Sequence, residues 1–421
     1  MGTSALAALL AACATAAPPP AQTSSSASSR SPATLAAPAP EPPTLVVFFT
    51  VDQMLPEYFD RYAPQLTGGL GRLYRNGAVF TDAHQDHAIT ETAPGHASTL
   101  SGRFPRSTGI VTNATGVGDS TAPLLGSTGP GASPFRFRGT TLIDWLRASD
   151  PRSRALSVSR KDRGAILPLG RAKQQVYWYA YDGRFTTSRY YADTLPGWLQ
   201  RFNAAQPAAQ LAGRAWTLLL PDASYPEPDS VPAESGGTYV TFPHTLPADP
   251  AEAARRLPEY PWIDSLTLDV ALRGAREMEL GSGPQTDLLA VSLSAMDAVG
   301  HRYGPDSREV HDMTLRLDRY LGSFLDSLYA RVDSTRVVVA LTGDHGVAPF
   351  PEVRASGAAA AALHVDVAPQ LAAVYARLRA AAVDSAAFDW GGELLEIDHD
   401  ALRAGGIDPD SLVTAFAAEL R

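Results

Sequence analysis

The chain contains the apolar run Thr44-Leu-Val-Val-Phe-Phe-Thr-Val51, which is followed at once by Asp52. Two later apolar runs are also followed by metal-ligand residue types: Asp287-Leu-Leu-Ala-Val-Ser-Leu-Ser294 precedes Asp297 and His301, and Arg336-Val-Val-Val-Ala-Leu-Thr342 precedes Asp344 and His345. Such continuous runs are typical of strands in a parallel sheet that is buried on both faces. In open α/β sheets the ligand crevice lies at the carboxyl ends of the strands. The three runs therefore predict one rim that carries three carboxylates and two imidazoles, a set suited to two divalent metals.

Composition places the chain among globular proteins and argues against one class of partner. The 421 residues are 45% hydrophobic and 19% charged, which excludes disorder for most of the chain. The formal net charge is −9, whereas proteins that bind a phosphate backbone carry an excess of Lys and Arg. We therefore expect no nucleic-acid partner, and an anionic substrate must be attracted locally, by metal.

The amino-terminal residues predict an exported protein. Residues 1–16 form a short apolar segment with Leu10-Ala11-Ala12-Cys13, which resembles a bacterial lipoprotein cleavage box. The alternative is a simple Ala-rich leader, since no Lys or Arg precedes the segment as it would in a signal peptide. Residues 17–43 are rich in Ala, Pro and Ser, as in a flexible linker. The expected location is the periplasm or the outer membrane, with a tether through lipidated Cys13.

Residues 44–421 are predicted to form one α/β domain with insertions near 175–261 and 351–421. Helical patterns alternate with the apolar runs, notably from Trp262 to Leu280 and from Ser307 to Arg331, the latter with Asp306 as its cap. Asp182-Gly183 separates two apolar stretches and predicts a tight hairpin turn. No later run reaches the ~18 apolar residues that a membrane-spanning helix needs.

The segment Thr90-Glu-Thr-Ala-Pro-Gly-His-Ala-Ser-Thr-Leu100 carries a candidate nucleophile. Pro94 suits the first turn of a helix, and Thr92 is predicted just before it, where a phosphoryl oxygen would meet unpaired N–H groups. A threonine hydroxyl is a poor nucleophile by itself, but coordination to a divalent cation makes its alkoxide accessible near neutral pH. The alternative is that Thr92 only caps the helix.

Several motifs in a consistent order resemble the alkaline phosphatase superfamily, in its type I phosphodiesterase and nucleotide pyrophosphatase branch, and are most similar to the phosphate-irrepressible alkaline phosphatase group. The resemblance runs from Leu45 to the end of the chain. Its motifs are Val51-Asp-Gln-Met54, Thr92-Ala-Pro-Gly-His96, Gly109-Ile-Val-Thr-Asn113, Ser159-Arg-Lys-Asp-Arg-Gly-Ala-Ile166 and Asp344-His-Gly346. It implies an alkaline-phosphatase-like fold: a mostly parallel sheet flanked by helices on both faces, with cap or insert segments.

The resemblance also implies the site residues and the cofactor. Two zinc ions are expected, the first held by Asp52, Thr92, Asp344 and His345, and the second by Asp297 and His301. Asn113, Lys161 and Arg163 would contact the transferred phosphoryl group. Manganese or iron is compatible with the same mixture of His and Asp donors.

Lys161 and Arg163 bear on the substrate independently of the resemblance. The chain has only two lysines, Lys161 and Lys173, among 35 basic residues, so an ammonium group is retained at this position against a strong bias toward arginine. A compact ammonium and a forked guanidinium, with the Asn113 amide, suit the three non-bridging oxygens of a phosphate monoester. The alternative is an Arg-rich loop on a solvated surface.

These observations predict a metal-dependent phosphate monoester hydrolase that acts on small-molecule esters through a phosphothreonine intermediate. Alternatives are a phosphodiesterase or nucleotide pyrophosphatase of the same superfamily, and a tethered metal- or phosphate-binding protein without turnover. The resemblance leads us to expect a further zinc-binding histidine in a His-Gly segment near the carboxyl end. None follows Gly346, where only His364 and His399 occur. We therefore expect a truncated reading frame and an incomplete second zinc site.

Overall fold

The computed structural model describes residues 41–354, 366–391 and 394–420. The predicted signal segment, Cys13 and the linker up to residue 40 lie outside the described residues, as does His364. Residues 41–44 run without regular secondary structure into the first strand.

A six-stranded sheet forms the centre of the described chain, with the order β4-β3-β2-β7-β1-β8. Every neighbouring pair is parallel except β3 and β4, which are antiparallel. Two further pairs, β5 with β6 and β9 with β10, form separate two-stranded sheets. The strands are β1 (Leu45–Val51), β2 (Ala155–Ser159), β3 (Gln175–Tyr179), β4 (Phe185–Thr186), β5 (Ala215–Trp216), β6 (His244–Thr245), β7 (Asp287–Leu293), β8 (Val337–Thr342), β9 (Phe388–Trp390) and β10 (Leu395–Ile397).

The described residues also form fifteen α-helices, several of them a single turn. They are α1 (Glu57–Arg61), α2 (Gly69–Asn76), α3 (Thr92–Thr99), α4 (Pro105–Thr108), α5 (Leu142–Ser149), α6 (Asp162–Ile166), α7 (Gly197–Ala204), α8 (Pro250–Arg256), α9 (Trp262–Glu277), α10 (Ala295–Tyr303), α11 (Arg308–Tyr329), α12 (Pro351–Arg354), α13 (Ala368–Ala380), α14 (His399–Ala404) and α15 (Pro409–Glu419). The long α11 begins after Ser307, whose hydroxyl accepts from the Val310 N–H, so the N-cap is Ser307 and the prediction of Asp306 was wrong.

Strand β1 shows why its sequence is apolar throughout. Its alternate residues Leu45, Val47, Phe49 and Val51 are fully buried in a core cluster that includes side chains of α9 and α11. Val46 and Phe48, which lie between them, pack against a second cluster that includes side chains of α3, α5 and α6. Because successive side chains of a strand point to opposite faces, helices cover both faces of the sheet, as predicted.

The register of the sheet brings the carboxyl ends of three strands to one rim. Thr50 of β1 lies opposite Ser292 of β7 and Thr342 of β8. The segments that leave these strands carry the predicted ligands. The three apolar runs are thus confirmed as parallel strands, and their order places β1 in the middle.

Two segments extend the central unit. The predicted hairpin is present, since β3 pairs with β4 and Gly183 in the turn has φ +90°, a conformation that favours glycine. Toward the carboxyl end, residues of α13, α14 and α15 form a cluster of their own around Leu378 and Phe388.

Among the described residues, no helix combines the length and apolar character needed to cross a bilayer.

Candidate metal centre

The rim of the sheet brings together Asp52, Asp297, Asp344, His301 and His345. The ligand atoms of Asp52, Asp344 and His345 lie within 4.8 Å of one another. His345 Nε2 lies 3.3 Å from Asp52 Oδ1 and 3.9 Å from Asp297 Oδ1. Oδ1 of Asp297 also lies 3.2 Å from His301 Nε2, one helical turn away on α10. Residues separated by nearly 300 positions therefore form one group, as the strand pattern predicts.

Thr92 lies at the amino-terminal end of α3 and beside these carboxylates. It is the first residue of the helix, and Glu91 rather than Thr92 is the N-cap. Its hydroxyl oxygen accepts a hydrogen bond of 3.0 Å from Lys161 Nζ. The side chain is 2% exposed. The alternative that Thr92 serves only as a cap therefore does not hold, because another residue has that position.

Gly95 allows α3 to approach the rim closely. A Cβ atom at this position would lie 2.3 Å from the carbonyl oxygen of Asp344, nearer than any side chain tolerates. The backbone of α3 therefore packs directly against the Asp344 segment. This contact fixes the distance between Thr92 and the carboxylates.

His96 links the same two segments through its ring, a role that its place in the sequence motif did not indicate. Its Nδ1 lies 2.9 Å from the carbonyl oxygen of Thr92 and 2.9 Å from Asp344 Oδ2. Its Nε2 lies 2.8 Å from Ser292 Oγ on β7. The ring is fully buried. His96 therefore holds α3, β7 and the Asp344 carboxylate in one arrangement.

Lys161 is the cation at the centre of the group. Its Nζ lies 2.7 Å from Asp52 Oδ2 and 2.6 Å from Asp297 Oδ2. Lys161 is the N-cap residue of α6, directly after Ser159 and Arg160 at the end of β2. Its side chain is 7% exposed. Strand β2, which pairs with β7, therefore also contributes a charged side chain to the rim.

Asn113 adjoins the Thr92 segment, whereas Arg163 contacts its own sequence neighbour. Asn113 Oδ1 accepts from the Ala93 N–H at 2.9 Å, which places the amide beside the residue that follows Thr92. Because that oxygen is bonded, the NH₂ group is the part of the amide that remains to donate to a ligand. Arg163, on α6, pairs with the neighbouring Asp162 at 3.7 Å. The structure thus brings Asn113 to Thr92 through Ala93, whereas the ion pair of Arg163 joins it to Asp162 and not to the carboxylates of the group.

The charges within the group determine its protonation. Burial disfavours ionisation of Asp52, but Lys161 and the imidazoles of His345 and His96 outweigh it and hold the pKa of Asp52 well below its ordinary range. Burial also disfavours protonation of His345, but Asp52 and Asp344 raise its pKa to about 9. For Asp297, burial and the nearby Asp52 are outweighed by His301 and Lys161, so its pKa is lowered. Asp52 and Asp297 are therefore ionised at neutral pH.

The carboxylate oxygens suit a metal. Four enclosed oxygens, Asp52 Oδ1 and Oδ2, Asp297 Oδ1 and Asp344 Oδ2, contact the Lys161 ammonium or an imidazole but accept no well-directed hydrogen bond within the described part of the chain. Enclosed anionic oxygens without hydrogen bonds are costly unless a cation satisfies them. Mixed carboxylate and imidazole donors are those that Zn²⁺ uses in catalytic sites. The donor set therefore fits the predicted metal, and Lys161 neutralises part of the same charge.

Two residues outside the predicted set, one buried and one partly buried, support the group from α9 and from the end of β2. Asp264 Oδ1 accepts from the Ala295 N–H at the start of α10, the helix that carries Asp297 and His301. Arg160 Nη2 donates to the Ser294 carbonyl at 3.2 Å and lies 3.5 Å from Asp297 Oδ2. Neither was predicted. Arg160 adjoins Lys161 in the sequence, whereas no local pattern marks Asp264, because it lies within an amphipathic helix.

Comparisons with known proteins agree with the resemblance seen in the motifs. A sequence model described as type I phosphodiesterase/nucleotide pyrophosphatase matches residues 46–398. Alkaline phosphatase PafA of Elizabethkingia meningoseptica is 35% identical over 328 residues, which cover 73% of this chain and 60% of that protein. Alkaline phosphatase PhoV of Synechococcus elongatus is 35% identical over 329 residues, with the same two coverages. This chain thus spans 60% of the length of both curated relatives.

The fold agrees with a solved structure as well. A crystal structure of wild-type PafA superposes with a TM-score of 0.82 at 31% sequence identity, over 91% of this chain and 77% of that one. The predicted alkaline-phosphatase-like fold is therefore confirmed.

Proposed function

Because the chain belongs to the type I phosphodiesterase/nucleotide pyrophosphatase family, we propose that it is a metal-dependent phosphate monoester hydrolase that acts through phosphothreonine at Thr92. One observation carries the proposal: the Thr92 hydroxyl lies 3.0 Å from Lys161 Nζ, which itself contacts two of the predicted metal-binding carboxylates. A candidate nucleophile, a cation for a phosphoryl oxygen and the metal ligands are thus adjacent. The names of the relatives, alkaline phosphatases, support a monoesterase.

The proposed cofactor is a pair of zinc ions. Asp52, Thr92, Asp344 and His345 would hold one ion, and Asp297 and His301 would hold the other. When bound, the metals would lower the pKa of the Thr92 hydroxyl and stabilise negative charge on the phosphoryl and leaving oxygens. The second set has fewer protein ligands, so we propose that it binds its ion more weakly.

The chemical steps are two displacements at phosphorus. The Thr92 oxygen attacks phosphorus while the bond to the ester oxygen breaks, and the alcohol leaves with the proton that the threonine hydroxyl gives up. Water then attacks the phosphothreonine, the P–O bond to Thr92 breaks, and inorganic phosphate is released as the hydroxyl regains a proton. Attack and departure occur in line on opposite sides of phosphorus. The enclosed position of Thr92 keeps most water away during the first step.

Three side chains would position the phosphoryl group. Lys161 donates to the Thr92 oxygen and would also face the transferred group as a point charge. Arg163 and the Asn113 amide would bind the remaining oxygens. A monoester presents three non-bridging oxygens and nearly two negative charges, whereas a diester presents two oxygens and one charge. The proposed substrates are therefore small-molecule phosphate monoesters. We also propose that the protein is exported and tethered to a membrane through Cys13.

The experiment compares wild-type protein with Thr92→Ala and Thr92→Ser, each loaded with zinc, on p-nitrophenyl phosphate and bis-p-nitrophenyl phosphate. We expect faster turnover of the monoester, at least a thousandfold loss in Thr92→Ala, and partial activity in Thr92→Ser, whose hydroxyl is retained. Mass spectrometry of acid-quenched wild-type protein should find phosphate on Thr92. A preference for the diester would favour the phosphodiesterase alternative, and full activity of Thr92→Ala would overturn the mechanism.

A further inference from the structure

A cleft of about 520 Å³ opens beside His301. Its lining includes Ser235, Thr238, Arg256, Glu259, His301 and Arg302. These residues come from the 235–238 segment, the end of α8, the turn Leu257–Glu259 that follows it, and α10. Its volume is sufficient for part of a small molecule, which would remain partly in solvent because the cleft is open.

The cleft lies where the proposed reaction needs space. Of the predicted metal ligands, His301 is by far the most exposed, with 67% of its side chain accessible, whereas Asp297 beside it is 7% exposed. His301 therefore connects the buried carboxylates with solvent on the α10 side of the group. By the proposed mechanism the leaving group departs on the side of phosphorus opposite Thr92, toward the Asp297 and His301 ligands. The alcohol part of a bound ester would thus enter this cleft.

The cleft carries an excess of positive charge. Oε2 of Glu259 lies 2.6 Å from Arg256 Nη2 and 2.5 Å from Arg302 Nη1. Two guanidinium groups therefore converge on a single carboxylate oxygen. One positive charge is left in excess, in a chain whose formal net charge is −9. An anion entering the cleft would be attracted there rather than to the surface as a whole.

The arginines are also held in place for a ligand. Arg302 Nε donates to Ser235 Oγ at 2.8 Å, and its side chain is 21% exposed. Arg256, with 43% of its side chain exposed, keeps part of its guanidinium toward solvent. A guanidinium that is already oriented loses little conformational freedom when it binds a phosphate or carboxylate through two N–H groups.

We propose that this cleft is a subsite for a second anionic group on the leaving alcohol, and that the preferred substrates are phosphate monoesters whose alcohol carries another phosphate. Arg256 and Arg302 bind that distal phosphate, while the hydroxyls of Ser235 and Thr238 line the path to it. That the leaving alcohol reaches this subsite rests on the proposed function. That an anion binds there rests only on the charges of Arg256, Arg302 and Glu259.

The kinetic test uses two esters with the same reacting bond, butyl phosphate and butane-1,4-diol bisphosphate, on zinc-loaded protein. The bisphosphate has two equivalent ester groups, which alone would double its kcat/KM. Beyond this factor, wild type should show a kcat/KM about tenfold higher for the bisphosphate, because charge-assisted hydrogen bonds reach the distal phosphate. Arg256→Gln should remove most of that preference and leave butyl phosphate turnover unchanged. The matched control is Arg255→Gln, since Arg255 is on the same helix, pairs with Glu252 and does not line the cleft.

A binding test separates this inference from the proposed function. Calorimetric titration of zinc-loaded Thr92→Ala, which cannot form phosphothreonine, should give about tenfold tighter binding of the bisphosphate than of butyl phosphate, and Arg256→Gln in that background should abolish the difference. Failure of wild type to hydrolyse either ester would contradict the proposed function, and the titration would still decide the subsite. Equal binding of the two esters, or a preference that survives Arg256→Gln, would overturn the inference.

Discussion

Nζ of Lys161 lies 2.6 Å from Oδ2 of Asp297, so this buried carboxylate is paired with an ammonium ion within the predicted metal site. The same nitrogen lies 2.7 Å from Oδ2 of Asp52. An ammonium between two enclosed carboxylates offsets the charge that a metal would otherwise neutralise. Lys161 therefore acts as the internal counter-ion of the metal-free protein.

Replacing Lys161 by methionine should destabilise the metal-free protein by about 3–5 kcal/mol, because it leaves Asp52 and Asp297 buried without their cation. Zinc should restore more stability to Lys161→Met than to wild type, since metal no longer competes with the ammonium. Chemical denaturation in EDTA and in excess zinc measures both effects.

The other lysine provides the control for this substitution. Lys173 is exposed and lies over the ring of Tyr190 at 5.1 Å, so Lys173→Met should change the free energy of unfolding by less than about 1 kcal/mol in either condition. Equal zinc stabilisation of Lys161→Met and wild type would show that the ammonium does not occupy the place of a metal.

Gly95→Ala should disrupt the centre without touching a charged group. The added methyl group would lie 2.3 Å from the Asp344 carbonyl oxygen, so α3 must move away from the rim and carry Thr92 with it. We expect a loss of about 1–3 kcal/mol in stability, weaker zinc binding by calorimetry and lower turnover. Gly118→Ala is the control, because a Cβ there meets no heavy atom within 4 Å. Similar zinc affinity in the two variants would contradict the close packing of α3.

The sequence predicted the sheet and most of the centre because those signals are local. Asp52 follows β1 directly and Asp344 follows β8 after one residue, and parallel strands bring their carboxyl ends together. The turn at Gly183 was equally readable, since an Asp-Gly pair permits the conformation that it adopts.

Contacts set by topology could not be predicted in this way. Lys161 was expected to face a phosphoryl group, and its ion pair with Asp297, 136 positions away, depends on β2 lying next to β7. His96 was seen as part of a motif, but its contacts with Asp344 and Ser292 require the packing of α3 on the rim. Buried polar contacts between distant segments leave no periodic pattern in the sequence.

Asp264 tests whether the start of α10 must be held for the second ligand pair to form. Asp264→Ala removes the acceptor of the Ala295 N–H and should cost about 1–3 kcal/mol, with weaker zinc binding because Asp297 and His301 lie on that helix. Asp264→Asn keeps an amide oxygen of the same shape and should retain most of the affinity. Zinc titration with both variants decides the role. An equal loss in both would show that the negative charge, and not the hydrogen bond, is what matters.

Glu234 should make stability depend on pH. Burial, followed by Glu309 and Asp229, raises its pKa from an ordinary 4.5 to about 8, and its enclosed Oε2 accepts no hydrogen bond from the described chain. The folded protein therefore retains a proton that the unfolded chain loses. The stability that depends on this proton is fully present below pH 4.5, declines as pH rises and is lost above pH 8. Glu234→Gln should match wild type near pH 4 and exceed its unfolding free energy by roughly 3 kcal/mol at pH 9. Exposed Glu277→Gln is the control for urea denaturation across this range. A difference between Glu234→Gln and wild type that stays constant with pH would refute a raised pKa.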